Sequence, residues 1–439
     1  MKAITFDISF ARIAAAKVGG IASARSFVSP WAPVCCRQVS DAKLFGNDWT
    51  VVKPRLAGIC GSDVMQVFLK AHFDNPLSAL VSAPHIMGHE VVGTVIETGA
   101  AVKRVKLGDR VAVSPWLSCL PRGLAACEAC ERGDYPLCDG FLDGRFARGM
   151  QLGTCSDVGG GFAEAMSAHE SMLFPIPESV DFDAAVAADP AAVSLHAILR
   201  APPVPGEAAV VYGCGSLGAL TILLLRALFP KTRVLAIARN LRVKSLVDRF
   251  GADCLFTSRG RNLIAEIGEF LRVPLRKPLF GAPWLQSGVH RIYDTVGSGE
   301  TLEVGVRISK PRASIVLVGV APPKRFEWTL LYFKEVALLG SNAYGLETFE
   351  ETRRNGIEIY LDLLAQKRLV VDGFITHRYL LEDYADAFLA ARNKLRSGAV
   401  KVVFDPGLKS RALETNIRPV NTSSTKASGK ESREMAGER

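Results

Sequence analysis

AAVVYGCGSLGALTILLLRALF, residues 208–229, is the stretch that decides the fold. A short apolar run opens it. Glycines follow at Gly213, Gly215 and Gly218, with Ser216 and Leu217 between the last two, and an apolar helix-like run begins at once. Glycines in this spacing, between a strand and a helix, let the backbone turn tightly and approach a pyrophosphate. The new helix then turns its free N–H groups toward the phosphates. Alone, the triplet also fits a plain strand-to-helix turn in a flavodoxin-like sheet. The context goes further, because RVLAIAR, residues 233–239, supplies a second strand ending about twenty residues on. That strand ends on Ala238 and Arg239, where an NAD site carries an acidic residue for the ribose 2′-hydroxyl. Arg242 and Lys244 stand close behind. A missing carboxylate and an available guanidinium favour a 2′-phosphate, hence NADP over NAD.

Outward from this loop the pattern holds. HRIYDTVG (290–297) and ASIVLVGV (313–320) alternate with helix-like stretches, the signature of βαβ units and a parallel sheet. Residues 1–185 read differently, as short apolar runs separated by Gly, Pro and Asp, which predicts a strand-rich domain. After 340 come two amphipathic stretches, one ending near Gln366 and one covering LEDYADAFLAARNKL, then a strand in AVKVVFD. The expected fold class is α/β. A strand-rich domain over 1–185 precedes a Rossmann, doubly wound parallel-sheet domain over 186–340. The chain returns to the first domain over 341–405. Residues 406–439 are rich in Ser, Thr, Lys and Glu and are expected to be disordered.

A chain of 439 residues is too long for one ordinary core. Hydrophobic residues at 49% and charged residues at 22% exclude a disordered chain. No apolar run reaches the roughly 18 residues of a membrane span; the nearest, GALTILLLRALF, carries Arg226. The net charge is +9, and residues 406–439 hold seven Lys or Arg against four Glu. Without a long basic block, this balance speaks for solubility rather than nucleic-acid binding. MKAITFDISF lacks the charged-then-apolar signal pattern; ARIAAAKVGGIASARSF, Arg-bearing and acid-poor, is a transit-peptide candidate. The expected compartment is the cytoplasm, where clustered cysteines serve metals or catalysis rather than disulfides.

RLAGICGSDVMQ supplies Cys60, and PHIMGHEVVG supplies His89 followed by Glu90. A thiolate and an imidazole flanked by glycine turns can meet on one Zn²⁺, and a catalytic zinc leaves a fourth position open. The third ligand must come from elsewhere. AADPAAVSLHAI offers Asp189 at the start of a helix at the domain junction, and His196 on the same helix competes. His196 lies within an apolar face and reads as a core histidine.

In chain order, GICGSD, GHEVVGTV, GDRV, a cysteine cluster, GCGSLG, KEVALLGS and ITHRYLLED resemble a zinc-dependent medium-chain alcohol dehydrogenase, over roughly residues 45–404. The resemblance implies a GroES-like catalytic domain. It implies that Cys60 and His89 hold a catalytic zinc, with Glu90 an exchangeable ligand or a neighbour of the ligands. The polyol and threonine dehydrogenase branch uses an acidic third ligand in an E-P-L context, where this chain has Asp189-Pro190-Ala191. The implied reaction moves hydride between an alcohol or polyol and NAD(P), with zinc polarising the substrate oxygen. Ser62 matches the family's relay hydroxyl. Many members have a His three residues later, where this chain has Met65, so the proton route departs from the family pattern. A dimer or tetramer paired near KEVALLGS is also implied, with no membrane or nucleic-acid partner. Two other readings compete: an NADPH-dependent aldehyde or ketone reductase, which Arg239 favours, and a dinucleotide binder without chemistry, which the full candidate ligand set disfavours.

SCLPRGLAACEACERGDYPLC, residues 118–138, carries Cys119, Cys127, Cys130 and Cys138. In the family this lobe binds a second, structural zinc through C-x2-C-x2-C-x7-C. Cys127, Cys130 and Cys138 reproduce the last three. Cys119 stands farther off, with PRG in the extra loop, and closure cost grows only slowly with loop length. Four thiolates leave zinc no open position, so a structural role is expected, making two zinc ions per chain. Glu128, Glu131, Asp134 and Asp139 argue against a phosphate reader. Among the remaining residues, Cys155 is expected to be a small buried side chain. His72 and His169 read as surface or loop residues. His377 falls near the cofactor cleft, and His85, just before the GHE turn, is a candidate for the substrate side. The inserts 141–161 and 272–288 are candidates for shaping the cleft or an interface.

Overall fold

The computed structural model describes residues 1–71, 74–321 and 325–408. His72 and the tail from 409 onward lie outside the described residues.

AAVVY becomes a strand, Ala208–Tyr212, with all five residues buried. Burial on both faces is what a parallel sheet covered by helices demands. Six parallel strands form this sheet in the spatial order Cys254–Phe256, Arg233–Ile237, Ala208–Tyr212, Val289–Asp294, Ser309–Leu317, Ala337–Gly340. Numbered along the chain, the order is 3-2-1-4-5-6, the doubly wound Rossmann arrangement. The order reverses beside Ala208–Tyr212, and ligands bind such sheets at that crevice. There the chain turns at Gly213 (φ +92°) and enters the helix Ser216–Leu228. A side chain on Gly218 would collide with the Gly213 carbonyl, so the motif's last glycine is a packing necessity. Thr295 Oγ1, from the neighbouring strand end, lies 3.0 Å from the Tyr212 carbonyl and 2.9 Å from that of Gly213.

The second large sheet is mostly antiparallel and holds Trp49–Gly58 between Glu90–Thr98 and Lys401–Phe404. Lys401–Phe404 also pairs in parallel with Ile375–Tyr379. The end of the described chain therefore returns to its first large sheet, opposite Ala57 and Gly58. A small sheet orders Val34–Gln38, Lys2–Phe6 and His85–Ile86, and the helix Phe10–Ala22 fills the connection between its first two strands. Among the described residues, no helix is long and apolar enough to cross a membrane.

His169 corrects the sequence reading. It is buried at the end of the strand Met166–His169, opposite Trp49 in the register. Its Nε2 reaches Asp48 Oδ2 at 3.1 Å, and the Ser171 amide donates to its Nδ1. Partnered at both nitrogens, it belongs to the core. In the insert 272–288, Leu275–Arg276 pairs with Trp284–Leu285 as a short hairpin, leaving Leu279 and Phe280 exposed at its tip. Just before the edge strand Ala337–Gly340, Lys334 is fully buried. Its Nζ donates to the carbonyls of Leu285, Val306, Arg307 and Ser309, capping the helix Gly299–Ile308.

Candidate active site

Cys60 begins the helix Gly61–Val67. Asp63, three residues on, turns back and accepts from the Cys60 amide at 2.8 Å, which fixes the thiol at the helix start. His89 and Glu90 arrive at the head of the strand Glu90–Thr98, which pairs Glu90 with Gly58. The result is one group, with His89 and Glu90 buried and Cys60 half-buried: their ligand atoms lie within 4.8 Å of one another.

The electrostatics of this group call for a cation. Burial alone would lower the His89 pKa, but Asp63, Cys60 and Asp189 surround the ring and push it up to about 10. Burial would raise the Cys60 thiol, yet His89 overrides it and holds the thiol below its usual value. Burial raises both Asp63 and Asp189. A thiol, an imidazole and carboxylates are the donor types zinc takes, so the residues fit the metal.

Asp189 sits on the first turn of the helix Ala188–Arg200 and is buried. It lies outside the group of three, although its charge reaches His89. Tyr344 donates to its Oδ1 at 2.7 Å. Glu90 is held differently, in an ion pair with the fully buried Lys401. His196 Nδ1 donates to Glu347 Oε1 at 2.8 Å and takes no place among the three. Ser62 lies exposed on the first turn of the Cys60 helix, and Met65 is half-buried. His85 is a core residue: its Nδ1 donates to the Ser82 carbonyl at 2.7 Å, Gln66 contacts its Nε2 at 2.9 Å, and Phe6 stacks on it. Burial lowers its pKa to about 4. His377 is half-buried on Ile375–Tyr379, stacked on Tyr379.

Lys394 joins the metal-type group to the glycine loop. Its Nζ lies 3.5 Å from the position a Gly215 Cβ would take, and its charge interacts with Cys60. Ser216 Oγ ties the loop to the Val400 carbonyl at 2.7 Å. Sequence reading missed Lys394, Lys401 and Tyr344, which reach the site from far along the chain and carry no local motif. Asp63 did have a signal, its position three residues into a helix start.

The cysteine lobe is a second cluster. The sulfurs of Cys119, Cys127, Cys130 and Cys138 all lie within 4.8 Å of one another. Cys119 Sγ is 3.5 Å from Cys138 Sγ, and Cys127 Sγ is 3.9 Å from it. A tetrahedral zinc with Zn–S bonds of about 2.3 Å needs sulfur separations of about 3.8 Å, so the four residues fit it. Backbone N–H groups of Asp139 and Cys130 pull the Cys127 thiol down to about 6. Burial pushes Cys130 to about 11 and raises Cys138 as well. Arg122, from the extra PRG segment, closes the long loop. It is buried and donates to the carbonyls of Leu117, Asp143, Phe146, Ala147 and Gly149. Cys155 is buried nearby, its thiol on the Ala147 carbonyl at 3.3 Å.

Known proteins agree with this architecture. Residues 46–178 match the alcohol dehydrogenase GroES-like domain, and residues 216–358 match the zinc-binding dehydrogenase domain. Sorbitol dehydrogenase of Bacillus subtilis (strain 168) is 24% identical over 360 residues, covering 82% of this chain and 91% of that protein. L-idonate 5-dehydrogenase of Vitis vinifera is 26% identical over 362 residues, covering 81% and 87%. The crystal structure of galactitol-1-phosphate dehydrogenase from Escherichia coli superposes with a TM-score of 0.67 at 23% identity, covering 92% of this chain and 100% of that one. Two clusters fit for zinc, a Rossmann glycine loop beside one of them, and these matches place the chain in the zinc-dependent medium-chain alcohol dehydrogenase family, in its polyol dehydrogenase branch, as an oxidoreductase of alcohols that uses a nicotinamide cofactor.

Proposed function

We propose that the protein interconverts a primary or secondary alcohol of the polyol class and its carbonyl, with two zinc ions per chain and NADP preferred over NAD. The observation that carries this is the adjacency at Lys394, whose ammonium reaches both the glycine loop at Gly215 and the field of Cys60. Hydride transfer needs its two partners side by side.

In this reading Cys60 and His89 hold the catalytic zinc, and Asp189 is the third ligand. Glu90 already has a counter-charge in Lys401, whereas the Tyr344 hydrogen bond engages only Oδ1 of Asp189. Glu90 is the exchangeable neighbour. When bound, zinc polarises the substrate oxygen and lowers its pKa. The chain's own residues do the rest. Asp63 locks the Cys60 backbone, and Lys401 pairs with Glu90 and holds it against Gly58. The Ser62 hydroxyl, exposed beside Cys60, hands the proton outward, with water replacing the histidine that Met65 does not supply. Gly213, Gly215, Ser216, Leu217 and Gly218 carry the pyrophosphate, and Ala238 and Arg239 meet the adenosine ribose. Cys119, Cys127, Cys130 and Cys138 hold the structural zinc.

The polyol class rests on the relatives named above. We assign the catalytic domain to 1–185 with 341–405 and the Rossmann domain to 186–340. A homodimer or homotetramer is supported by the edge strand Ala337–Gly340, whose Leu338 is exposed. The cytoplasm is the compartment that keeps four lobe thiols reduced for a metal. Arg239 favours a second reading as to direction, reduction of an aldehyde or ketone by NADPH.

The test is zinc per chain by elemental analysis, beside a Cys60→Ala variant, with polyols assayed against NADP and NAD. Two zincs falling to one, with turnover lost, is the expected result. One zinc untouched by the substitution, with no turnover of any alcohol, overturns the proposal.

A further inference from the structure

Four cations on the elements around the glycine loop and the Cys60 helix have no ion-pair partner among the described residues. Arg239 follows the strand Arg233–Ile237, where the adenosine ribose of a dinucleotide lies. Lys70 follows the helix Gly61–Val67 and is tied down by its amide on the Met65 carbonyl at 2.9 Å. Arg392, at the end of the helix Tyr384–Arg392, lays its guanidinium 4.7 Å above the ring of Phe68. Lys394 stands over Gly215. Among the described residues, none of these four makes an ion pair, although many Lys and Arg elsewhere in the chain do.

Two of the four meet at one helix end: Phe68, under the Arg392 guanidinium, caps the helix Gly61–Val67 two residues before Lys70. Partial burial depresses the Lys70 ammonium, and the charges of Arg392 and Arg239 depress it further. No carboxylate offsets them at that group. Like charges brought from two helix ends and a strand end repel one another, and a bound anion relieves that repulsion. A phosphate monoester, with its double charge and three acceptor oxygens, suits such a cluster.

We propose that Lys70 and Arg392, from the catalytic half, complete with Arg239 a cross-domain clamp that reads the 2′-phosphate of NADP. The proposal rests on the NADP preference argued from Arg239 and adds two residues from the opposite wall. It has a mechanical corollary. Lys70 and Cys60 flank the same short helix, so a phosphate drawn to Lys70 steadies the segment that presents the zinc thiolate. An unclamped NADH leaves that end free.

The test measures cofactor binding to the zinc-loaded protein without substrate, by fluorescence titration. The readout is the ratio of the NADH to the NADPH dissociation constant for wild type, Lys70→Met, Arg392→Gln and Arg239→Ala. Losing one charge-assisted contact to a phosphate should lower that ratio about ten-fold in each variant, equal to about 1.4 kcal/mol. A rise in ionic strength should shrink the wild-type ratio as well. If Arg239→Ala collapses the ratio while Lys70→Met and Arg392→Gln keep it within two-fold of wild type, the clamp is refuted and the NADP reading survives. A wild-type ratio near one refutes both. A third arm titrates a polyol phosphate against the same proteins. If Lys70→Met and Arg392→Gln weaken that ligand instead of NADPH, the cluster reads a phosphorylated substrate and the clamp is again refuted.

Discussion

Arg122 should be the residue on which the cysteine lobe depends. Its side chain is buried, and five backbone carbonyls accept from it: Leu117, Asp143, Phe146, Ala147 and Gly149. Arg122→Met keeps the aliphatic stem and removes every donor. Each bond to a charged donor contributes about 1.5–3 kcal/mol, and each buried acceptor left empty costs about 1–3 kcal/mol. The full sum is not realised. Two of the five bonds are only part-buried, and the folded state no longer desolvates a guanidinium. A net loss of about 3–5 kcal/mol remains, which for a domain of this size lowers the melting midpoint by roughly 10 °C. Differential scanning fluorimetry reads that shift. If unfolding is irreversible, the inactivation rate at fixed temperature gives the same ordering. Colorimetric zinc release gives a second readout, since Arg122 anchors the loop between Cys119 and Cys127 and the variant should lose one zinc. Arg132→Met is the control in the same lobe: that residue is exposed, pairing with Glu128 and Asp134, and should change little. An Arg122→Met protein that melts with wild type and keeps both zincs would show that the buried guanidinium does not organise the lobe.

Other outcomes follow from the same geometry. Gly218→Ala drives a methyl against the Gly213 carbonyl; NADPH binding by fluorescence should weaken at least ten-fold, a figure consistent with about 1.4 kcal/mol of lost contact, while zinc content is retained. His85 should make the fold acid-sensitive. Its folded pKa of about 4 lies below the ordinary 6.5, so between those values the unfolded chain binds a proton that the folded one refuses. Stability is therefore full above pH 6.5 and falls by about 3 kcal/mol as pH drops toward 4. Urea melts at pH 7.5 and 5 should show that slope in wild type and a flatter one in His85→Asn. Lys401→Met leaves Glu90 buried without its partner, at about 3–5 kcal/mol. Adding Glu90→Gln should recover most of that loss in a double-mutant cycle by chemical denaturation; no recovery would mean that the pair is not what Lys401 supports.

The fold was legible because its decisive signals are local. A five-residue apolar strand, three glycines and a helix are read within the span 208–229, and the physics they report, a turn too tight for a Cβ at Gly218, is satisfied within that span. Cys60, His89 and Glu90 were legible for a similar reason: glycine-flanked turns present them where the paired strands Trp49–Gly58 and Glu90–Thr98 end and begin. The partners of these residues were not. Lys401 reaches Glu90 only because the strand Lys401–Phe404 docks opposite Ala57 and Gly58, a register that no pattern near residue 401 announces. Tyr344 reaches Asp189 across a sequence separation of 155. His169 was misread because a lone polar residue at a strand end looks exposed until its register opposite Trp49 is known. The PRG segment was seen as spare length, whereas Arg122 within it bonds the loop shut.

The buried charges of the active site obey one constraint. Cys60, Asp63, Glu90 and Asp189 are acidic groups gathered in a buried space, with His89 and Lys401 among them as counter-charges. Lys401 pairs with Glu90 and its charge also reaches Cys60 and Asp63, as that of Lys394 reaches Cys60; even so, Asp63, Cys60 and Asp189 together raise the His89 pKa to about 10. A proton on that ring is the least charge the site needs. A divalent cation on the same donors supplies more charge in the same volume, and it frees His89 to be the neutral imidazole that a metal takes. The affinity of the centre for zinc and its tendency to hold a proton are then one property. Substitutions such as Asp63→Asn, which remove an anion that touches no substrate, should weaken both together.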